Sequence, residues 1–146
     1  MKVKHLFVIM LFALIGLNVQ AKTWDALVNE FIEAMKIETP KMEEQLGQVG
    51  IESKITTSYD AKTKDIVMDF RIDTAVWGIF NQGALEVTKE SMLAEYQKSF
   101  KNDSDFAEFI NTMKSNGSKF RIAYTCLENG KVMAKEFTIT PDEIMK

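Results

Sequence analysis

The chain is poor in the residues that most often carry chemistry: of 146 residues, one is histidine, one is cysteine, two are proline and two are arginine. The single histidine, His5, falls inside an N-terminal stretch that reads as an export leader. Lys2 and Lys4 make a basic start, Leu6 to Leu17 an apolar run, and Val19-Gln20-Ala21 a small-residue cleavage pattern. Cleavage after Ala21 removes 21 of the 146 residues and leaves a 125-residue chain without any imidazole. Imidazole is the usual general base and the commonest metal ligand near neutral pH. Its absence excludes intramolecular Ser-His-Asp hydrolysis, Cys-His proteolysis and ordinary zinc sites. One cysteine cannot form an internal disulfide, so Cys126 is expected to be a small buried hydrophobe. A Walker loop, a GxGxxG, a cysteine-pair motif and an EF-hand spacing are all missing. No cofactor, no metal site and no catalytic residue is therefore expected.

The apolar part of the leader is about a dozen residues long, whereas a membrane span needs roughly 20. The expected product has no span after cleavage and works in the periplasm or outside the cell. Its lysine-rich, arginine-poor composition points to a bacterial source. Loss of Lys2 and Lys4 reduces 18 basic residues to 16 against 21 acidic ones, a net charge of −5. That sign disfavours nucleic acid and anionic membrane as partners. Residues 22–146 fit one domain.

Apolar residues recur at helical spacing in Trp24, Leu27, Val28, Phe31, Ile32 and Met35, with Thr23 as N-cap, which predicts a helix over 24–37. Thr39-Pro40 reads as a cap followed by proline at a first helical position, so a break near Glu38 and a short second helix ending near Gly47 are expected. From Ile51 the period becomes two. Ile51 to Tyr59 and Ile66 to Ile72, joined by the polar turn 60–64, predict a hairpin with one buried face. Helical spacing returns over 85–100 and again over 106–113, and Asn116-Gly117 supplies a left-handed stop. Asn129-Gly130 between alternating segments predicts a second hairpin with a two-residue turn. That turn pairs Phe120 with Ile139, Ile122 with Phe137, Tyr124 with Lys135 and Cys126 with Met133.

The order helix, hairpin, helices, hairpin suggests an internal repeat, 23–73 against 86–140. Residues 29–36 match 107–114 at five of eight positions, and a shift of 67 lays Ile55 on Ile122 and Phe70 on Phe137. The expected fold is α+β: two helix-plus-β-hairpin units forming a four-stranded antiparallel sheet with helices on one face. In layout alone this resembles the tandem helix-plus-sheet domains of secreted β-lactamase-inhibitor proteins, a resemblance that carries no residue across.

Two surfaces are binding candidates. One is the apolar connector with Trp77 and Phe80, large rings on a loop. The other is the far side of the second hairpin, where Ala123, Thr125 and Leu127 are expected beside Val132 and Ala134, bounded by Arg121 and Glu136. Carboxylates supply the competing reading, since Asp69 and Asp73 share a strand face with Arg71 between them, and glycoside hydrolysis needs a pair of acids. The expected function is a small exported non-catalytic binding or protein-interaction domain for a protein or small-molecule partner. Alternatives are a carboxylate-dependent hydrolase of envelope polysaccharide and a structural homodimer subunit.

Overall fold

The computed structural model describes residues 23–48, 50–73, 85–128 and 130–146. The expected leader and the connector that carries Trp77 and Phe80 lie outside these residues. The elements are α1 (Trp24–Gln48), β1 (Ser53–Asp60), β2 (Asp65–Ile72), α2 (Leu85–Asn102), α3 (Ser104–Ser115), β3 (Phe120–Glu128), β4 (Lys131–Ile139) and α4 (Pro141–Ile144).

α1 begins as its sequence suggests, with the Ala26 amide donating to the Thr23 hydroxyl at 3.2 Å. It does not break at Glu38. It runs through Pro40 for 25 residues, because Met35, Thr39, Met42 and Leu46 extend the buried stripe while the proline is exposed. An interior proline costs about 3 kcal/mol or more. Burying Met42 and Leu46 contributes about 1.5–3 kcal/mol each, enough to offset it. The helix ends at Gln48, beside the expected Gly47, and Gly50 supplies its left-handed stop. Gly50 has φ 83°, its amide donates to the Gly47 carbonyl at 3.0 Å, and the Ile51 amide donates to the Leu46 carbonyl at 2.9 Å. α3 ends in the same way at Gly117, with Ser118 bonded to Met113. This paired-bond ending satisfies carbonyls that a helix terminus leaves open.

The four strands lie in the order β1-β2-β3-β4. Both hairpins are antiparallel, and the second has the register its turn predicts, from Phe120↔Ile139 to Glu128↔Lys131. The central pair is different: β2 and β3 run parallel, Ile66 beside Phe120 and Phe70 beside Tyr124, so the sheet is mixed, not antiparallel throughout. Parallel neighbours need a long crossover. Here the chain between β2 and β3 includes α2 and α3.

This pairing bears on the repeat. The matched octapeptides both lie on helices, and their phenylalanines touch, Phe31 and Phe109 having ring centroids 5.9 Å apart. The hairpins, however, have opposite hand. Both bury the same face, yet β1 and β3, which the repeat equates, run in opposite directions while each lies on the same side of its partner strand. No rotation that keeps the covered face on the helices lays one hairpin on the other.

Strand alternation places Ile66, Met68, Phe70, Phe120, Ile122, Tyr124 and Cys126 on that covered face, all buried. Tyr96 stacks between Phe106 and Phe120, at 5.8 and 5.2 Å, and Phe70 stacks on Tyr124 at 5.0 Å. Phe137 is only half-buried, so it is not the equal of Phe70. α4 closes the domain. Thr140 and Glu143 form a reciprocal capping box, and Gln97 on α2 donates to the Glu143 carbonyl at 3.0 Å.

Candidate functional site

The face of the sheet turned away from the buried core consists of the alternate residues of each strand. Leu127 pairs with Val132, Thr125 with Ala134 and Ala123 with Glu136. These are the residues that the two-residue turn puts together from sequence. Leu127 is 56% and Val132 59% exposed, and with Ile37 they are the exposed large hydrophobics among the described residues. Ala134 is exposed, while Ala123 and Thr125 are half-buried. A small apolar patch therefore stands at the tip of the second hairpin.

The parallel pairing of β2 and β3 brings charge up to this patch. Arg71 lies beside Thr125 and Asp69 beside Ala123. The Thr125 hydroxyl donates to the Asp69 carboxylate at 3.3 Å. A shallow cavity of about 320 Å³ lies beside the patch, with Lys54, Arg71, Asp73 and Leu127 in its wall. Asp69 and Arg71 thus occupy one strand face as alternation requires, while Asp73 lies just past the end of β2 in the cavity wall.

An ion cluster anchors the opposite end of β3. The Arg121 guanidinium meets Asp60 at 3.2 Å and Asp65 at 3.5 Å, and the Lys119 ammonium meets Asp65 at 3.1 Å. The Asp65 carboxylate is almost fully buried, and two cations compensate its desolvation. Hydrogen bonding from the Lys62 amide, aided by Arg121, holds the Asp60 carboxyl below its usual range against the opposing effect of desolvation. The cluster ties the first hairpin to β3. Sequence reading missed it, because Arg121 reaches Asp60 and Asp65 only once β2 and β3 are parallel neighbours.

The Glu143 carboxyl is also held below its ordinary range. Partial burial works against its charge, but the Thr140 amide, the Lys89 ammonium and the Thr140 hydroxyl outweigh it and hold the pKa down. Burial pushes the Tyr96 and Tyr124 hydroxyls upward. Among the described residues, no three histidine, cysteine or acidic side chains are grouped to hold a metal ion. No described helix is long and apolar enough to cross a membrane. Comparisons with protein-family models, curated proteins and solved structures find no match for the chain.

Proposed function

We propose that the chain is a small exported binding domain whose contact surface is the open face of its sheet at the β3–β4 tip. The observation that carries this reading is the exposed Leu127–Val132 pair beside Ala134, apolar side chains left in water on a flat face. Large apolar groups on a surface mark recognition sites when they are contiguous and rimmed by polar residues. Arg71, Asp69 and Glu136 supply that rim. Such a surface takes a protein, and association draws on apolar contact more than on proton transfer.

The test is photocrosslinking in the native compartment with a benzophenone residue at position 134, and with the same residue at the exposed Lys98 position on α2 as control. A discrete adduct at 134 that disappears on Val132→Glu and is absent at 98 is the expected result. Equal labelling at both positions would remove the reading. An adduct of twice the chain mass would assign the surface to a homodimer.

A further inference from the structure

We propose a second binding site, distinct from the open face: the groove between α1 and the edge strand β1 takes an extended peptide, which joins the sheet as a fifth strand.

β1 ends the sheet on one side, and its outer backbone groups have no neighbouring strand among the described residues. Their direction is visible in one bond. The Ile55 amide donates to the Glu43 carboxylate on α1 at 3.2 Å, so Ile55 turns its peptide groups outward, and Ser53, Thr57 and Tyr59 follow by alternation. Between this edge and the helix lies a cavity of about 310 Å³, walled by Met35, Thr39, Pro40, Glu43, Ile55 and Thr57. Two further features give it a demand for hydrogen bonds. The Thr57 hydroxyl oxygen is buried with no hydrogen-bond partner. Pro40 has no amide to offer, so the Lys36 carbonyl lacks its ordinary bond one turn on.

A groove with an outward backbone edge on one wall and a mixed helix face of Met35, Lys36, Thr39, Pro40 and Glu43 on the other selects its occupant by geometry. A peptide strand satisfies successive edge amides and carbonyls, and its alternate side chains fall into the cavity. Met35 and Ile55 suit small aliphatic side chains there. The intervening side chains of the added strand stand on the opposite side, near Lys54, which is exposed. The occupant is therefore an extended peptide alternating aliphatic and acidic residues. Glu43 holds the Ile55 amide until the strand replaces it.

The probe is acetyl-Val-Glu-Val-Glu-Val-amide, titrated into the isotope-labelled protein. Saturable amide shifts confined to residues 53–59 and the facing turn of α1 are expected. An N-methylated peptide of the same sequence and the valine–lysine analogue should each bind about tenfold more weakly or worse, because each loses edge hydrogen bonds or charge complementarity. Thr57→Pro should abolish binding with the melting temperature little changed, since proline is tolerated where an edge amide faces outward. Should that variant fail to fold, the N-methylated peptide carries the same test on the unmodified protein. Equal binding of the methylated and unmethylated peptides would overturn the proposal, as would absence of saturable shifts. So would a concentration-dependent dimer of the free chain that occupies the β1 edge.

Discussion

The two faces of this sheet are built by the same strands and differ in everything that alternation controls. On one, Phe70, Phe120, Ile122 and Tyr124 are sealed beneath helices. On the other, one residue along each strand, Asp69, Arg121, Ala123 and Thr125 meet solvent or one another. Side-chain size follows the cover. The rings stack where helices close over them, and small or charged groups stand where nothing described packs against the sheet. Leu127 and Val132 are the exposed large apolar groups on the uncovered side among the described residues, and this makes them informative.

The largest loss is expected at the centre of the covered face. Phe120→Ala removes a ring that contacts both Tyr96 and Phe31 and is expected to cost about 3–5 kcal/mol, read by denaturant unfolding. Phe137→Ala, on a half-buried ring, should cost clearly less. Equal losses would mean that the two positions share one environment after all.

Alkali attacks the same face. Burial raises the Tyr96 and Tyr124 pKa values in the folded chain, so the unfolded chain ionises first as pH rises. The unfolded state then binds fewer protons, and the stability present below a pH of about 10 is lost progressively above it. Melting temperature measured against pH, together with tyrosinate absorbance, should show unfolding and ionisation rising together. Tyrosinate signal from both rings in a chain that still melts cooperatively would contradict their burial.

On the open face the expected effect moves from folding to association. Ala134→Glu should shift stability by no more than about 0.5 kcal/mol. If this surface is the contact, it should weaken partner binding by about 2 kcal/mol or more, measured by loss of the adduct from a benzophenone residue placed at the exposed position 136 on the same face. A large drop in melting temperature would show that the face is part of the core.

The smallest effect belongs to the margin, where α4 secures the helices. Thr140→Ala removes one half of the capping box and should cost about 1 kcal/mol. It should also flatten the acid limb of the stability profile. The depressed Glu143 pKa contributes stability above the ordinary carboxylate range, and that contribution is lost as pH falls through the lowered value. An unchanged acid limb in the variant would place the acid sensitivity elsewhere.

The amino-acid order by itself determined what depends on neighbours in sequence. Thr23 caps α1, Gly117 stops α3, and the Asn129-Gly130 signal predicts every pair of the second hairpin, including the apolar patch toward its tip. These features rest on turn geometry and on hydrogen bonds a few residues long, so periodicity and a few marker residues are enough to read them. Three things were decided only by tertiary structure. α1 runs through Pro40 because Met42 and Leu46 find a core to bury in, a gain that no local signal near Thr39 announces. Glu43 reaches the Ile55 amide because helix and edge strand are packed together. Above all, β2 and β3 lie parallel, which gives the hairpins opposite hand and brings Arg121 to Asp60 and Asp65. Strand alternation is the same for parallel and antiparallel neighbours, so the pattern along the chain cannot distinguish them. The choice belongs to the path of the crossover through α2 and α3 and to the aromatic rings that its helices bring down onto the sheet.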